Sequence, residues 1–234
     1  MEKPADTHIP IHDLLARRWS PRAFAEQPVE SDKLASLFEA ARWAPSSSNE
    51  LPWMFVVATK DDQAAYDRLL ACLLKGNRKW AFRAPVLLVS VARMQFEDDG
   101  KPNRHAFHDT GMALENLLLQ AAALGLVAHP MAGFNIEQAR ADLKIPAGFE
   151  PVAMVAVGYS GEPALLPDYL QQREANPRER TPVSGFVYAG LWDAPLVPPK
   201  SRGPGMAALS GKVAIVTGAS SGIGRAIAER LAED

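Results

Sequence analysis

Cys72 is the only cysteine in 234 residues. An internal disulfide and a cysteine-based zinc cage are thereby excluded, and a reducing compartment is implied. A surplus of charge of either sign is also missing. The net charge is −2, and no polybasic tract gives the footprint of a nucleic-acid or membrane-surface binder. Long apolar runs are missing as well. The most apolar stretch, 112–128, is interrupted by Glu115, Asn116 and Gln120 and is too short to span a bilayer. Residues 1–13 carry acids and no apolar segment, so they do not read as a signal peptide. The expectation is a soluble, cytoplasmic protein. Apolar residues make up 47% of the chain, enough for one good-sized core.

The periodicity of that apolar content predicts elements in order. Residues 11–17 read as a short helix, and Ser31 as the N-cap of a second, with Leu34, Leu37, Phe38 and Ala41 at helical spacing. Pro45 ends that helix. Residues 53–59, 85–92 and 151–158 are apolar runs, each with several β-branched residues, that read as buried strands. Asp61 is placed to cap a helix running to Leu74, with Gly76 just past its end. The longest helix, 107–124, is apolar on nearly all sides, so it is expected to be buried all round, in a core or against another subunit. Asn135 and Gln138 resemble a capping box for 135–143. Residues 162–197 are proline-rich and poor in apolar runs, and they read as an arm lying over a surface. Strands separated by helices predict a layered α/β or α+β domain.

The stretch 17–24 places Arg17, Arg18 and Arg22 around Ser20 and Pro21. A guanidinium presents a planar fork of donors that meets phosphate oxygens two at a time. Taken alone, the stretch reads either as an anion clamp or as a solvated basic turn.

Five separated motifs decide between these readings. Arg18-Trp19-Ser20-Pro21-Arg22 comes first. Pro45-Ser46-Ser47-Ser48-Asn49-Glu50-Leu51-Pro52-Trp53 follows, then Asn77, then Pro130-Met131-Ala132-Gly133-Phe134, and last Arg178 and Arg180. In this order they resemble the nitroreductase family of FMN-dependent oxidoreductases, over about residues 8–192. The resemblance implies an α+β layered fold, with a central mixed sheet flanked by helices and an extended C-terminal arm. It implies an FMN site built from Arg18, Trp19, Ser20, Arg22, Pro45, Ser46, Ser47, Ser48, Asn49, Asn77, Pro130, Met131, Ala132, Gly133, Arg178 and Arg180. Leu51 and Trp53 are expected beside the substrate. Leu51 stands where the family pattern usually has Gln, which makes the expected mouth more apolar. A homodimer with FMN between subunits is implied, as is ping-pong reduction of a nitroaromatic, quinone or related small acceptor by NAD(P)H. A flavin-binding protein without efficient NAD(P)H turnover, or a reductase specialised for a different small substrate, is the alternative.

The chemistry requires these residue types. A phosphomonoester carries nearly two charges at neutral pH, which Arg22, Arg178 and Arg180 could neutralise. Reduced flavin gathers negative charge on its pyrimidine edge, so Arg18 and Asn77 would favour reduction. Pro45, Trp53, Pro130 and the long helix suit an apolar slot. No catalytic side chain is needed, because the cofactor carries the chemistry.

Smaller signals take plainer readings. His105, His108 and Asp109 lie close together without a further well-spaced ligand, so they mark a helix start and not a metal site. His129 reads as a surface or pocket-edge residue. Trp43, Trp53 and Trp80 read as core or slot walls, and Cys72 as a packed thiol.

The chain ends on a second pattern. After a Pro/Gly linker at 198–205, residues 206–234 resemble the start of a short-chain dehydrogenase/reductase, with Thr217-Gly218 and the glycines Gly222 and Gly224. Such a loop brings backbone N–H groups to a dinucleotide pyrophosphate. One strand and one helix cannot bury their own faces, so a truncated fragment is expected and not a working second site. The expected organisation is a domain over 1–197, the linker, and this fragment.

Overall fold

The computed structural model describes residues 3–196. The linker at 198–205 and the fragment at 206–234 lie outside the described residues. The chain divides into two units, Met1–Arg178 and Glu179–Asp234.

The first unit is built on a four-stranded sheet in the order β1-β2-β4-β3. The strands are β1 (Trp53–Thr59), β2 (Val86–Arg93), β3 (Val127–Met131) and β4 (Phe149–Gly158). All three pairings are antiparallel, so the mixed sheet expected from the sequence is an antiparallel one among the described residues. The central pair β2–β4 is apolar on both faces, and alternation sends its side chains to opposite sides. Leu87, Val89, Val91, Met154 and Ala156 join one core, whereas Val86, Leu88, Val155 and Val157 join the other.

The first core is covered by α3 (Gln63–Cys72), α4 (Lys75–Ala81), α6 (Ile136–Asp142) and α7 (Asp168–Ala175). The second is covered by α2 (Ser31–Arg42) and α5 (Ala106–Ala123). The result is helix, sheet, helix, the layered α+β arrangement expected. A short α1 (Asp13–Arg17) delivers the basic stretch.

Several local expectations are corrected. Ser31 is the first helical residue of α2 and Glu30 its N-cap, with no side-chain capping bond. Asp62, not Asp61, caps α3 through Ala65 N. Gly76 lies inside α4 and does not terminate a helix. Asn135 does cap α6 as read, accepting from Gln138 N at 3.0 Å.

Burial of α5 on all sides is not met within the chain. Ala113, Leu114, Leu117, Leu118 and Ala121 are buried, but Phe107 is 47% exposed and Gly111 and Glu115 are open. Trp80 is core, whereas Trp43 is 72% exposed, held by Glu39 and stacked under Arg42 instead of walling a slot. Cys72 is fully buried and donates to Arg68 O. Burial pushes its thiol up, Asp142 adds to the rise, and Arg78 opposes it.

Residues 162–178 are not a bare arm. They form α7, which buries Leu170 and Glu174. The second unit, where described, holds a short 3-10 turn at Val183–Gly185 and an antiparallel bridge between Tyr188 and Pro195. Tyr188 and Trp192 pack there with ring centres 5.2 Å apart.

Candidate functional site

The basic stretch is held from several directions. His129 on β3 donates through Nδ1 to Pro21 O at 2.9 Å, and its ring lies 4.6 Å from Trp80. Burial pushes the imidazole down to about 4. The carbonyls of Pro21 and Ser20 oppose that shift, and Arg22 and Arg18 reinforce it. The half-buried His129 is therefore a neutral strut under the loop at neutral pH. From α7, the buried Glu174 accepts from the N–H groups of Arg22 and Ala23. Lys3 donates to the Glu174 carbonyl and stands 5.1 Å from the Trp19 ring centre.

The guanidiniums on this loop are not equally engaged. Arg17 pairs with Asp13 in an exposed i,i+4 contact. Arg18 makes two long contacts, to Ser20 Oγ at 3.4 Å and to Glu115 at 3.7 Å. Arg22 faces Glu174 at 3.6 Å. Five donors on each of Arg18 and Arg22 thus leave capacity for an anion. Arg178 donates to the carbonyls of Lys3 and Ala16 at 2.9 and 2.8 Å, which ties the N-terminal segment down. Arg180 belongs to the second unit and donates to Glu179 O. Beside Arg18 a cavity of about 240 Å³ has Lys3, Arg17, Arg18 and Trp19 on one side and Leu118 and Val127 among its apolar walls.

Four residues along the chain from His129, Gly133 O accepts from both Leu74 N and Asn77 Nδ2, at 3.0 and 3.1 Å. A side chain at Gly133 would place its Cβ 2.6 Å from Asn77 Nδ2, so Asn77 can sit here only against glycine. Strand β3 and its exit, carrying Pro130, the buried Met131 and Ala132, therefore join the basic loop to Asn77.

The turn 45–51 is the third part. Ser48, Asn49 and Leu51 all have positive φ, at 53°, 58° and 47°. Left-handed backbone costs a non-glycine residue about 1–2 kcal/mol, and such outliers cluster at functional sites. Ser47 N donates to Asp109 Oδ2 at 2.9 Å, and Leu51 N to Ser46 Oγ at 3.0 Å. The N–H groups of Ser46 and Ser48 donate to nothing among the described residues. Leu51 is 37% exposed and Trp53 is in the core.

No hydrogen bond or ion pair joins this turn directly to the basic loop or to Asn77 among the described residues. Helix α5 touches both parts, at Asp109 and at Glu115. These positions are six residues apart, about 9 Å of rise and about 120° around the helix. They therefore face different ways.

The family model for nitroreductases matches residues 15–159. The chain belongs to the nitroreductase family. Among solved structures, an oxidoreductase containing FMN superposes with a TM-score of 0.77 at 37% identity, covering 81% of this chain and 96% of that one. An FMN-dependent nitroreductase of Clostridium difficile R20291 is 29% identical with a TM-score of 0.54, covering 64% and 87%. In sequence, an uncharacterized 15.4 kDa protein of Mycolicibacterium smegmatis is 34% identical over 61% of this chain and 99% of its own length. A Xanthomonas oryzae protein, provisionally named NADH dehydrogenase/NAD(P)H nitroreductase, is 32% identical over 62% and 81%.

Sequence reasoning missed Glu174, Lys3 and the role of Asp109. Asp109 carried a faint signal as one of three polar residues at a helix start. The others act across long sequence separations and carried none. Among the described residues, no group of three or more His, Cys, Asp or Glu side chains could hold a metal, and no helix is long and apolar enough to cross a membrane.

Proposed function

We propose that this chain is an FMN-dependent oxidoreductase that takes a hydride from NADH or NADPH and delivers it to a nitroaromatic, quinone or related small acceptor. One observation carries the reading. Strand β3 is tied to Pro21 of the basic loop by His129, and its exit to Asn77 by Gly133. Weakly engaged guanidiniums and a seated amide thus belong to one strand's ends.

The residues present fit the cofactor. Arg18 and Arg22 have spare donors, and Ser46 and Ser48 offer N–H groups that are unpaired among the described residues. Arg22 and Arg178, both in the first unit, would hold the phosphate. Arg18 and Asn77 would face the polar edge of the ring, and the 130–133 segment would lie beside it. When bound, FMN supplies the hydride-accepting chemistry. The chain binds, orients and excludes water, and no side-chain nucleophile is assigned. The names of the FMN-containing neighbours and of the Xanthomonas relative support the cofactor and the nicotinamide reductant.

The site reads as complete only in a homodimer. The turn 45–51 faces away from the basic loop around α5, and Phe107 on α5 is left open. Both observations suit a second copy that supplies one part of each site. A cytoplasmic setting suits the lone buried thiol. Residues 198–205 are proposed as a linker and 206–234 as a segment that the flavin site does not use. Removing them should leave flavin content and NAD(P)H oxidation unchanged.

The deciding experiment is the visible spectrum of the purified protein during anaerobic titration with NADH and then NADPH. Bleaching of bound flavin by either is expected. A protein that takes up no FMN would refute the reading. Bound flavin that neither nicotinamide bleaches would leave only flavin binding.

A further inference from the structure

The turn 45–51 holds three non-glycine residues in left-handed conformation, and two charged groups outside the proposed flavin contacts clamp it. At its start, the Asp109 carboxylate is 2% exposed and accepts from Ser47 N at 2.9 Å, while its other oxygen meets His108 Nδ1 at 3.0 Å. At its end, Arg93 at the last position of β2 donates through Nη2 to Glu50 O at 2.8 Å and to Glu50 Oε2 at 3.2 Å. Glu50 Oε2 also accepts from Glu97 N. The Arg93 and Glu50 side chains are both about 15% exposed, at 15% and 14%, so solvent screens this pair little.

The middle of the turn is differently placed. Its internal bonds run from Asn49 N to Ser46 O and from Glu50 N to Ser47 O, at 3.2 and 3.1 Å. Neither these bonds nor the two clamps use the N–H groups of Ser46 and Ser48. A free peptide would relax out of three left-handed residues, because each costs energy that one or two local hydrogen bonds do not cover. Tying down Ser47 and Glu50 from a helix and a strand over-determines the backbone between them.

We propose that Asp109 and Arg93 are positioning residues that fix this turn so that Ser46 and Ser48 present their N–H groups to the flavin. The proposal rests on the flavin reading above. Neither residue touches the cofactor. Each acts through the turn, and each is mounted on a rigid element, as preorganised donors require.

The test uses the full-length protein freed of flavin and its variants Asp109→Ala and Arg93→Gln. FMN binding is followed by quenching of flavin fluorescence, and amide hydrogen exchange of the turn is followed without flavin. Each variant should exchange the turn amides about tenfold faster or more and bind FMN about tenfold more weakly, the worth of one charge-assisted bond. Melting of the flavin-free protein should fall most for Arg93→Gln, which leaves the nearly buried Glu50 carboxylate without its cation, so both measurements are made well below each variant's own transition. Asp109→Asn, which keeps an acceptor oxygen, should recover most of the affinity. If Asp109→Ala does not fold, Asp109→Asn and Arg93→Lys are read by the same two measurements, with smaller shifts in the same direction. Folded variants with wild-type exchange and wild-type FMN affinity would overturn the proposal. Faster exchange with unchanged FMN affinity would also overturn it, since the turn would then be clamped for another purpose. Absence of FMN binding by the wild-type chain would instead refute the flavin reading, while the exchange measurement would still report on the clamp.

Discussion

Glu174 lies beneath Arg22 and holds it by backbone and side chain together. Oε1 accepts from the N–H groups of Arg22 and Ala23, and Oε2 stands 3.6 Å from Arg22 Nη1. The carboxylate side chain is 1% exposed and the guanidinium side chain 26%. The basic loop is thereby anchored by a carboxylate on its protected side.

Removing that anchor should be costly. Glu174→Ala leaves one buried N–H donor, one partly buried N–H donor and one partly buried cation without their partner, and should lower the unfolding free energy by about 3 kcal/mol. Glu174→Gln keeps an acceptor oxygen and should cost about 1 kcal/mol. Urea denaturation measures both. On the ligand side, Arg22→Ala should weaken FMN retention far more than Arg17→Ala, because Arg17 is engaged in an exposed pair with Asp13. Equal losses would place the clamp elsewhere.

Gly133→Ala separates folding from binding. The added Cβ would meet the end of the Asn77 side chain at 2.6 Å, and that amide can swing aside. Stability should change by less than about 1 kcal/mol, whereas FMN affinity should fall about tenfold as the amide leaves its place. Fluorescence titration alongside thermal melting reads the two effects. Wild-type affinity would remove Asn77 from the cofactor site.

His129 should give the protein an acid-sensitive loop. Its ordinary value is 6.5, and in the folded chain it is pushed down to about 4 by burial first, against the pull of the Pro21 and Ser20 carbonyls. Between these values the unfolded chain binds the proton and the folded chain does not, so stability rises with pH across that window. It should be complete above about pH 6.5 and decline as pH falls toward 4, by up to about 3 kcal/mol. Denaturation curves at several pH values should show this slope in the wild type and a flatter one in His129→Asn. An unchanged slope would assign the acid sensitivity to other groups.

The elements legible in the sequence are those whose pattern is local. Strand β1 was readable to the residue, because 53–59 is a compact apolar run between a turn and Asp61. Strand β3 was not. It carries His129 and Pro130, and a proline fits there only because β3 is the edge of the sheet. Helix α4 was hidden by Gly76, which looks like a stop but sits in the first turn. The order of the motifs was legible as well, and with it the family. The supports of the motifs were not. Glu174 reaches Arg22 across 152 positions and Asp109 reaches Ser47 across 62, and nothing in either neighbourhood marks the partner.

Leu51 offers the sharpest test of specificity. Its backbone is left-handed, with φ of 47°, its N–H is fixed by Ser46 Oγ, and its side chain is 37% exposed. Leu51→Gln carries the same backbone cost, so the exchange varies side-chain chemistry at a fixed position. It restores the amide that the family pattern usually has there. FMN affinity should stay within about twofold. The ratio of kcat/KM for an apolar quinone to that for a polar nitroaromatic should fall about five- to tenfold, the usual effect of one group in a binding pocket. Loss of FMN would move Leu51 from the acceptor to the cofactor. An unchanged ratio with FMN retained would take it out of the site altogether, leaving its left-handed backbone as its contribution to the turn.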